Sequence, residues 1–151
     1  MGKYSIQWVK DSVALLARAA ELYVNSFSEE PWKENYSVEK VIAYFRRFQE
    51  SESNLIYVLL ADGKPTGVVL LILIPTYQDT YARIEDFCVD SREQRKGNGS
   101  VFLELLKEEL RGKAIGSIVL NTVKDFPSYS FYRKNGFQHI ENSACLYGET
   151  K

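Results

Sequence analysis

Cysteine and histidine are scarce in this chain. Its 151 residues include two cysteines, Cys88 and Cys145, and one histidine, His139, with no CxxC pair. A zinc site commonly draws three or four ligands from these residues, so no metal centre is expected. Cys88 and Cys145 read as small buried hydrophobes rather than reactive thiols. Charge of one sign is also missing: 19 basic residues face 20 acidic ones, for a net charge of -1. Without a basic field there is little to hold a nucleic acid or an anionic membrane, so neither is an expected partner. Long apolar runs are absent too. The longest, Val68 to Ile74, falls far short of the ~20 residues that cross a bilayer. The N-terminus lacks the basic and apolar regions of a signal peptide. These absences favour a soluble, cytoplasmic protein with a small-molecule partner.

There is no internal repeat, linker or low-complexity stretch, so residues 1–151 read as a single domain. With 45% hydrophobic residues the chain can bury a core unaided by disulfides or metals. Tyr4 to Val9 alternates as a first strand. Asp11 or Ser12 can cap a helix whose apolar stripe includes Leu16, Ala20, Tyr23 and Phe27, and Ser37 can cap a second with Val38, Val41, Ile42, Phe45 and Phe48. Leu55–Leu60, the turn Asp62-Gly63-Lys64-Pro65 and Val68–Ile74 read as a hairpin of buried strands that Pro75 should end. Tyr81–Val89 is a further strand. A third helix carries Val101, Phe102, Leu105, Leu106 and Leu110 and stops near Gly112; Ile118–Val123 is again a strand. Pro127 opens a short helix through Tyr132 to Asn135, Gly136 ends it, Phe137 should begin the last strands, and Ala144–Tyr147 is a candidate edge.

The loop Gln94-Arg95-Lys96-Gly97-Asn98-Gly99-Ser100 lies between a strand and a helix. There, main-chain N–H groups and the positive helix end favour phosphate, and Arg92, Arg95 and Lys96 add charge. It is not a Walker loop, because no lysine follows its spaced glycine. Nor is it a dinucleotide fingerprint, because Phe102 stands where a third small residue is needed. An ordinary turn with solvated cations remains open on this loop alone.

The pattern Gln-x-x-Gly-x-Gly, preceded by Asp86-Phe87-Cys88-Val89, resembles the cofactor loop of the GCN5-related N-acetyltransferase (GNAT) superfamily. The stretch from Asp125 through Phe131-Tyr132 to Gly136-Phe137 is similar to that family's second signature. The resemblance covers Tyr81 to Phe137. It departs at Asp125, where the family often has asparagine; Asn121 on the preceding strand offers an amide instead. It implies a mixed, mostly antiparallel sheet of about six or seven strands with about four helices, splayed between strands 4 and 5. Acetyl-CoA would lie in the splay. Its expected contacts are Phe87, Cys88, Val89, Gln94, Arg95, Lys96, Gly97, Asn98, Gly99, Ser100, Asn121, Asp125, Ser128 and Tyr132, with the Val89 amide on the thioester carbonyl.

Acetyl transfer to an amine raises two proton problems. An alkylammonium of pKa ~10 must lose a proton at a cost of about 4 kcal/mol at pH 7, and Glu85, acting through water, is the expected base. The leaving thiolate must gain one, and Tyr132 is the expected acid. Asp86 would hold the acceptor's ammonium. Strand alternation sends Glu85 and Asp86 to opposite faces unless a bulge intervenes. Phe27 and Trp32 would form an apolar acceptor wall, with Glu29, Glu30 and Glu34 attracting a cationic amine of a small molecule or peptide. With no positioned nucleophile, direct transfer is expected. A non-catalytic acyl-CoA-binding module is the alternative, and a homodimer is compatible with exposed sheet edges.

Overall fold

The computed structural model describes residues 3–28, 32–90 and 97–151. The chain forms two compact units, Met1–Leu120 and Asn121–Lys151. In the first, β1 (Tyr4–Trp8) leads to α1 (Val13–Phe27) and α2 (Val38–Phe48). The Ser12 and Ser37 side chains accept from Leu15 N at 3.1 Å and Lys40 N at 3.2 Å, satisfying first-turn donors as their positions predict. Strands β2 (Asn54–Ala61), β3 (Lys64–Pro75) and β4 (Thr80–Val89) follow, then α3 (Asn98–Gly112) and β5 (Ile118–Leu120).

The five strands lie in the order β1-β2-β3-β4-β5, antiparallel except for the parallel β4–β5 pair. The tight β2–β3 hairpin closes through Asp62 and Gly63, with Ala61 opposite Lys64. Both central residues have positive φ, 52° and 81°, the twist that two-residue hairpins favour. Pro75 ends β3, as expected from its missing donor.

One sheet face packs on α1 and α2: Leu16, Ala20, Tyr23, Val41 and Phe45 meet Ile56, Val58, Val68, Leu70 and Cys88. On α3, Phe102 stacks on Phe87 of β4 with ring centroids 5.1 Å apart, and Glu109 accepts from the Tyr57 hydroxyl of β2 at 2.8 Å. Central strands covered on both faces must be apolar along their whole length, as Val68–Ile74 is. Gly67 makes room for α3. A Cβ there would lie 3.1 Å from both the Cys88 carbonyl oxygen and the Phe102 ring. The close approach of helix and sheet is thus supplied by a glycine on the strand.

The second unit holds α4 (Pro127–Lys134), with Pro127 in its first turn. Gly136, at φ 91°, reverses the chain, and the Phe137 amide donates to the Tyr132 carbonyl at 3.0 Å. The six or seven strands expected reduce to five among the described residues, because no strand forms after Gly136. A strand is held by its neighbour's ladder. The segment 138–151 is exposed throughout and pairs with no strand of the sheet. No described helix is long and apolar enough to cross a membrane.

Candidate functional site

Two features of the first unit meet at the end of β4. The parallel ladder joins Ala82, Arg83 and Ile84 to Ile118, Val119 and Leu120, whereas β4 runs on to Val89. Beyond Ile84, β4 therefore runs on without a ladder to β5, at the strand pair where the splay was expected. Beyond β4, α3 starts at Gly97 in the left-handed conformation, φ 79°, a residue with no side chain to cap the helix, and no acidic residue lies in the first turn. A Cβ at Gly97 would meet nothing within 4 Å. This start has the geometry of an anion site: a positive helix end, main-chain donors and open space. Asn98 is buried and Gly99 and Ser100 half-buried. Gln94, Arg95 and Lys96, with Arg92, lie outside the described residues.

The side chains of Phe87 and Cys88 serve packing. Phe87 lies against Phe102, and the Cys88 thiol is buried in the helical core, where desolvation pushes its pKa up to about 12. The thiol is a poor nucleophile there. The Ser26 hydroxyl of α1 donates to the Val89 carbonyl at 3.1 Å, and the Asp90 amide to the Thr66 carbonyl at 2.7 Å, fixing the end of β4.

The carboxylates of β4 are separated by a bulge. Leu70 of β3 faces Asp86 and Leu71 faces Ile84, leaving Glu85 as the extra residue. The simple alternation is therefore broken, and the Glu85 charge acts on both Asp86 and Tyr44. Glu85 is exposed and pairs with Arg83 at 3.7 Å. Asp86 is directed toward α1 and α2. Its Oδ2 accepts from Tyr44 Oη at 2.7 Å and Tyr23 Oη at 3.3 Å. Burial raises its pKa, the two phenols oppose that shift, and Glu85 adds to it. Burial likewise raises both phenols well above the usual range.

Around this acid the rings form a continuous patch. Tyr23 lies 4.7 Å from Phe27, 5.7 Å from Tyr36 and 6.2 Å from Tyr44, and Phe27 lies 5.2 Å from Trp32. The expected pair Phe27 and Trp32 is thus joined to Asp86 through Tyr23. The sequence reading missed Tyr36 and Tyr44 and gave Tyr23 only a core role. The available signal was aromatic spacing: Tyr23 with Phe27 and Tyr44 with Phe48 both lie four apart on helices. Glu29 and Glu30 lie outside the described residues; Glu34 is exposed.

In the second unit, Tyr132 is buried on α4 between Phe131 and Phe137, each ring 5.3 Å away. Ser128 shares a 2.8 Å hydrogen bond with Thr122, and Asn121 Nδ2 lies 3.9 Å from Cys145 Sγ. Asp125 is exposed. The Tyr129 hydroxyl is hydrogen-bonded to His139 Nε2.

The profile of the Acetyltransferase (GNAT) family matches residues 17–137. No curated protein matches the chain. Solved structures do share the fold. An aminoglycoside acetyltransferase from an uncultured soil metagenomic sample, in complex with sisomicin, superimposes with a TM-score of 0.74 at 18% identity, over 99% of this chain and 97% of that one. A GNAT family acetyltransferase from Staphylococcus aureus gives 0.72 at 16% identity, over 97% and 98%. A transcriptional regulator from Bacillus halodurans C-125 gives 0.74 at 18%, over 97% and 100%. At such identities the likeness is one of fold, while the profile spans most of the sequence. The chain is a member of the GNAT acetyltransferase family.

Proposed function

We propose that residues 1–151 form one cytoplasmic N-acetyltransferase domain that moves an acetyl group from acetyl-CoA directly to a primary amine of a small molecule or peptide. The observation that carries this reading is the end of β4, which continues beyond its ladder with β5 after Ile84, followed by a helix start at Gly97 in the left-handed conformation. The profile match crosses from the first unit into the second, which supports treating them as one domain.

The residues fit a nucleotide thioester. Gly97, Asn98, Gly99 and Ser100 offer main-chain donors to a pyrophosphate, with Gln94, Arg95 and Lys96 before them in sequence. Phe87, Cys88 and Val89 would border the pantetheine arm, and the family resemblance adds Asn121, Asp125 and Ser128 as proposed contacts. When bound, acetyl-CoA supplies an activated acyl group. The Val89 amide would stabilise charge growing on the acyl oxygen. Asp86 would hold the acceptor's ammonium, and Glu85, exposed to solvent, would take its proton through water. Tyr132 would protonate the departing thiolate. Burial of the Cys88 thiol, with its pKa near 12, supports direct transfer over an acyl-cysteine route.

The test is CoA release from acetyl-CoA across a panel of amines, with acetyl-CoA affinity measured in parallel. Tyr132→Phe should lower kcat by about 10–1,000-fold while leaving acetyl-CoA binding within about threefold. Absence of acetyl-CoA binding by the folded protein would overturn the reading. Binding without turnover of any amine would favour a non-catalytic acyl-CoA-binding module.

A further inference from the structure

Asp86 has an unusual environment for a carboxylate. It is half-buried between β4 and the two helices, and among the described residues no lysine, arginine or histidine lies within ion-pairing distance of it. Both phenols donate to the same oxygen, Oδ2. A buried carboxylate is costly without a counter-charge, so an arriving cation is favoured there. The walls around it are aromatic. From Tyr23, which is buried, rings run outward through Phe27 to Trp32 and to Tyr36, which is 39% exposed. Among the described residues, charge is sparse along those walls. Glu85 is paired with Arg83, and Glu34 is exposed and screened by water.

We propose that this aromatic patch around Asp86 selects a monocationic primary amine carried on a flat apolar body, an arylalkylamine, with Tyr23, Tyr36 and Tyr44 as the residues that set this preference. The proposal rests on the N-acetyltransferase reading and names its acceptor class. One ammonium meets one carboxylate, with the ring faces beside it adding cation–π attraction, and the apolar body covers Phe27, Trp32 and Tyr36. A polycationic sugar or a polyamine would press further ammonium groups against aromatic walls where, among the described residues, the only further carboxylates beside the rings are Glu85, already paired with Arg83, and the solvent-exposed Glu34. Each such ammonium would lose hydration without a matching ion pair. Tyr44 and Tyr23 hold the Asp86 carboxylate through Oδ2, leaving Oδ1 to receive the ammonium.

The test has two arms. In the first, kcat/KM with acetyl-CoA is compared for phenethylamine, spermidine and sisomicin. Phenethylamine should lead by at least about tenfold, and Tyr36→Ala should raise its KM by about threefold with little change in kcat. Preference for sisomicin or spermidine would overturn the acceptor class while leaving the acetyltransferase reading intact. In the second arm, calorimetry measures phenethylamine binding to the protein with CoA present and absent, needing no turnover. Binding that falls by at least about tenfold in Asp86→Asn supports the patch even if the chain proves catalytically silent. No binding in either state, or equal binding by Asp86→Asn, overturns the proposal.

Discussion

At the scale of single residues, Asp86 and Cys88 are two acids on one strand with different fates. The Cys88 thiol stays neutral in the core, so raising the pH to 8 should leave it unreactive. Iodoacetamide should label exposed Cys145 alone in the folded protein and both cysteines in denaturant, as read by intact mass. Asp86 has its pKa raised chiefly by burial. Well below the unfolded pKa of about 3.9 its carboxyl is protonated in both folded and unfolded chains. As pH rises the unfolded chain loses that proton first, so the folded state loses relative stability until Asp86 also ionises. Asp86→Asn removes this cost and keeps an oxygen for the phenols. Its Tm at pH 7 should exceed that of the parent by about 2–4 °C for each kcal/mol relieved, and the difference should shrink as pH falls toward 3.5. The same substitution should weaken amine binding, so that stability and function separate at one side chain. Asp86 was legible in the sequence as a candidate. Its partners were not, because Tyr23 and Tyr44 lie 63 and 42 positions away.

Among the elements, the contact between α3 and the sheet decides where the helix start points. Phe102 on α3 excluded a dinucleotide fingerprint because the helix lacks the small residue that such packing needs. The structure supplies it from the other side, at Gly67 of β3, under Phe102 and beside the Cys88 carbonyl. Gly67→Ala should destabilise the fold by about 1–3 kcal/mol, visible as a lowered urea midpoint, because a backbone carbonyl cannot move aside as a side-chain end can. An unchanged midpoint would mean that α3 is not seated by this glycine. The helices and central strands were readable from periodicity and from Ser12, Ser37 and Pro127. The bulge at Glu85 was foreseeable only as an exception to alternation, since its register is fixed by β3 across the ladder. The last strands were expected from Phe137 onward but are absent, since exposed extended chain becomes a strand only when a neighbour pairs with it.

For the whole molecule, the nearly balanced charge and scarcity of metal ligands leave affinity to local geometry. If the glycine-bearing start of α3 and the end of β4 hold acetyl-CoA, ligand present at 100 times its Kd should add about 2.7 kcal/mol of stability, or about 5–10 °C in Tm. CoA should act similarly, and a nucleoside without phosphates should have far less effect. Equal shifts from all three would count against a pyrophosphate site. The alternation of helices and strands, the caps, the hairpin turn, the glycine-bearing helix start and the family signatures follow from the order of residues alone. Each of these is written in neighbouring residues and their local conformational preferences. That β4 outruns β5, that Gly67 admits Phe102, and that Tyr23 and Tyr44 converge on Asp86 emerge with the folded chain. Those features depend on strand register and on helices meeting a sheet, contacts between residues far apart in the chain that no local pattern encodes.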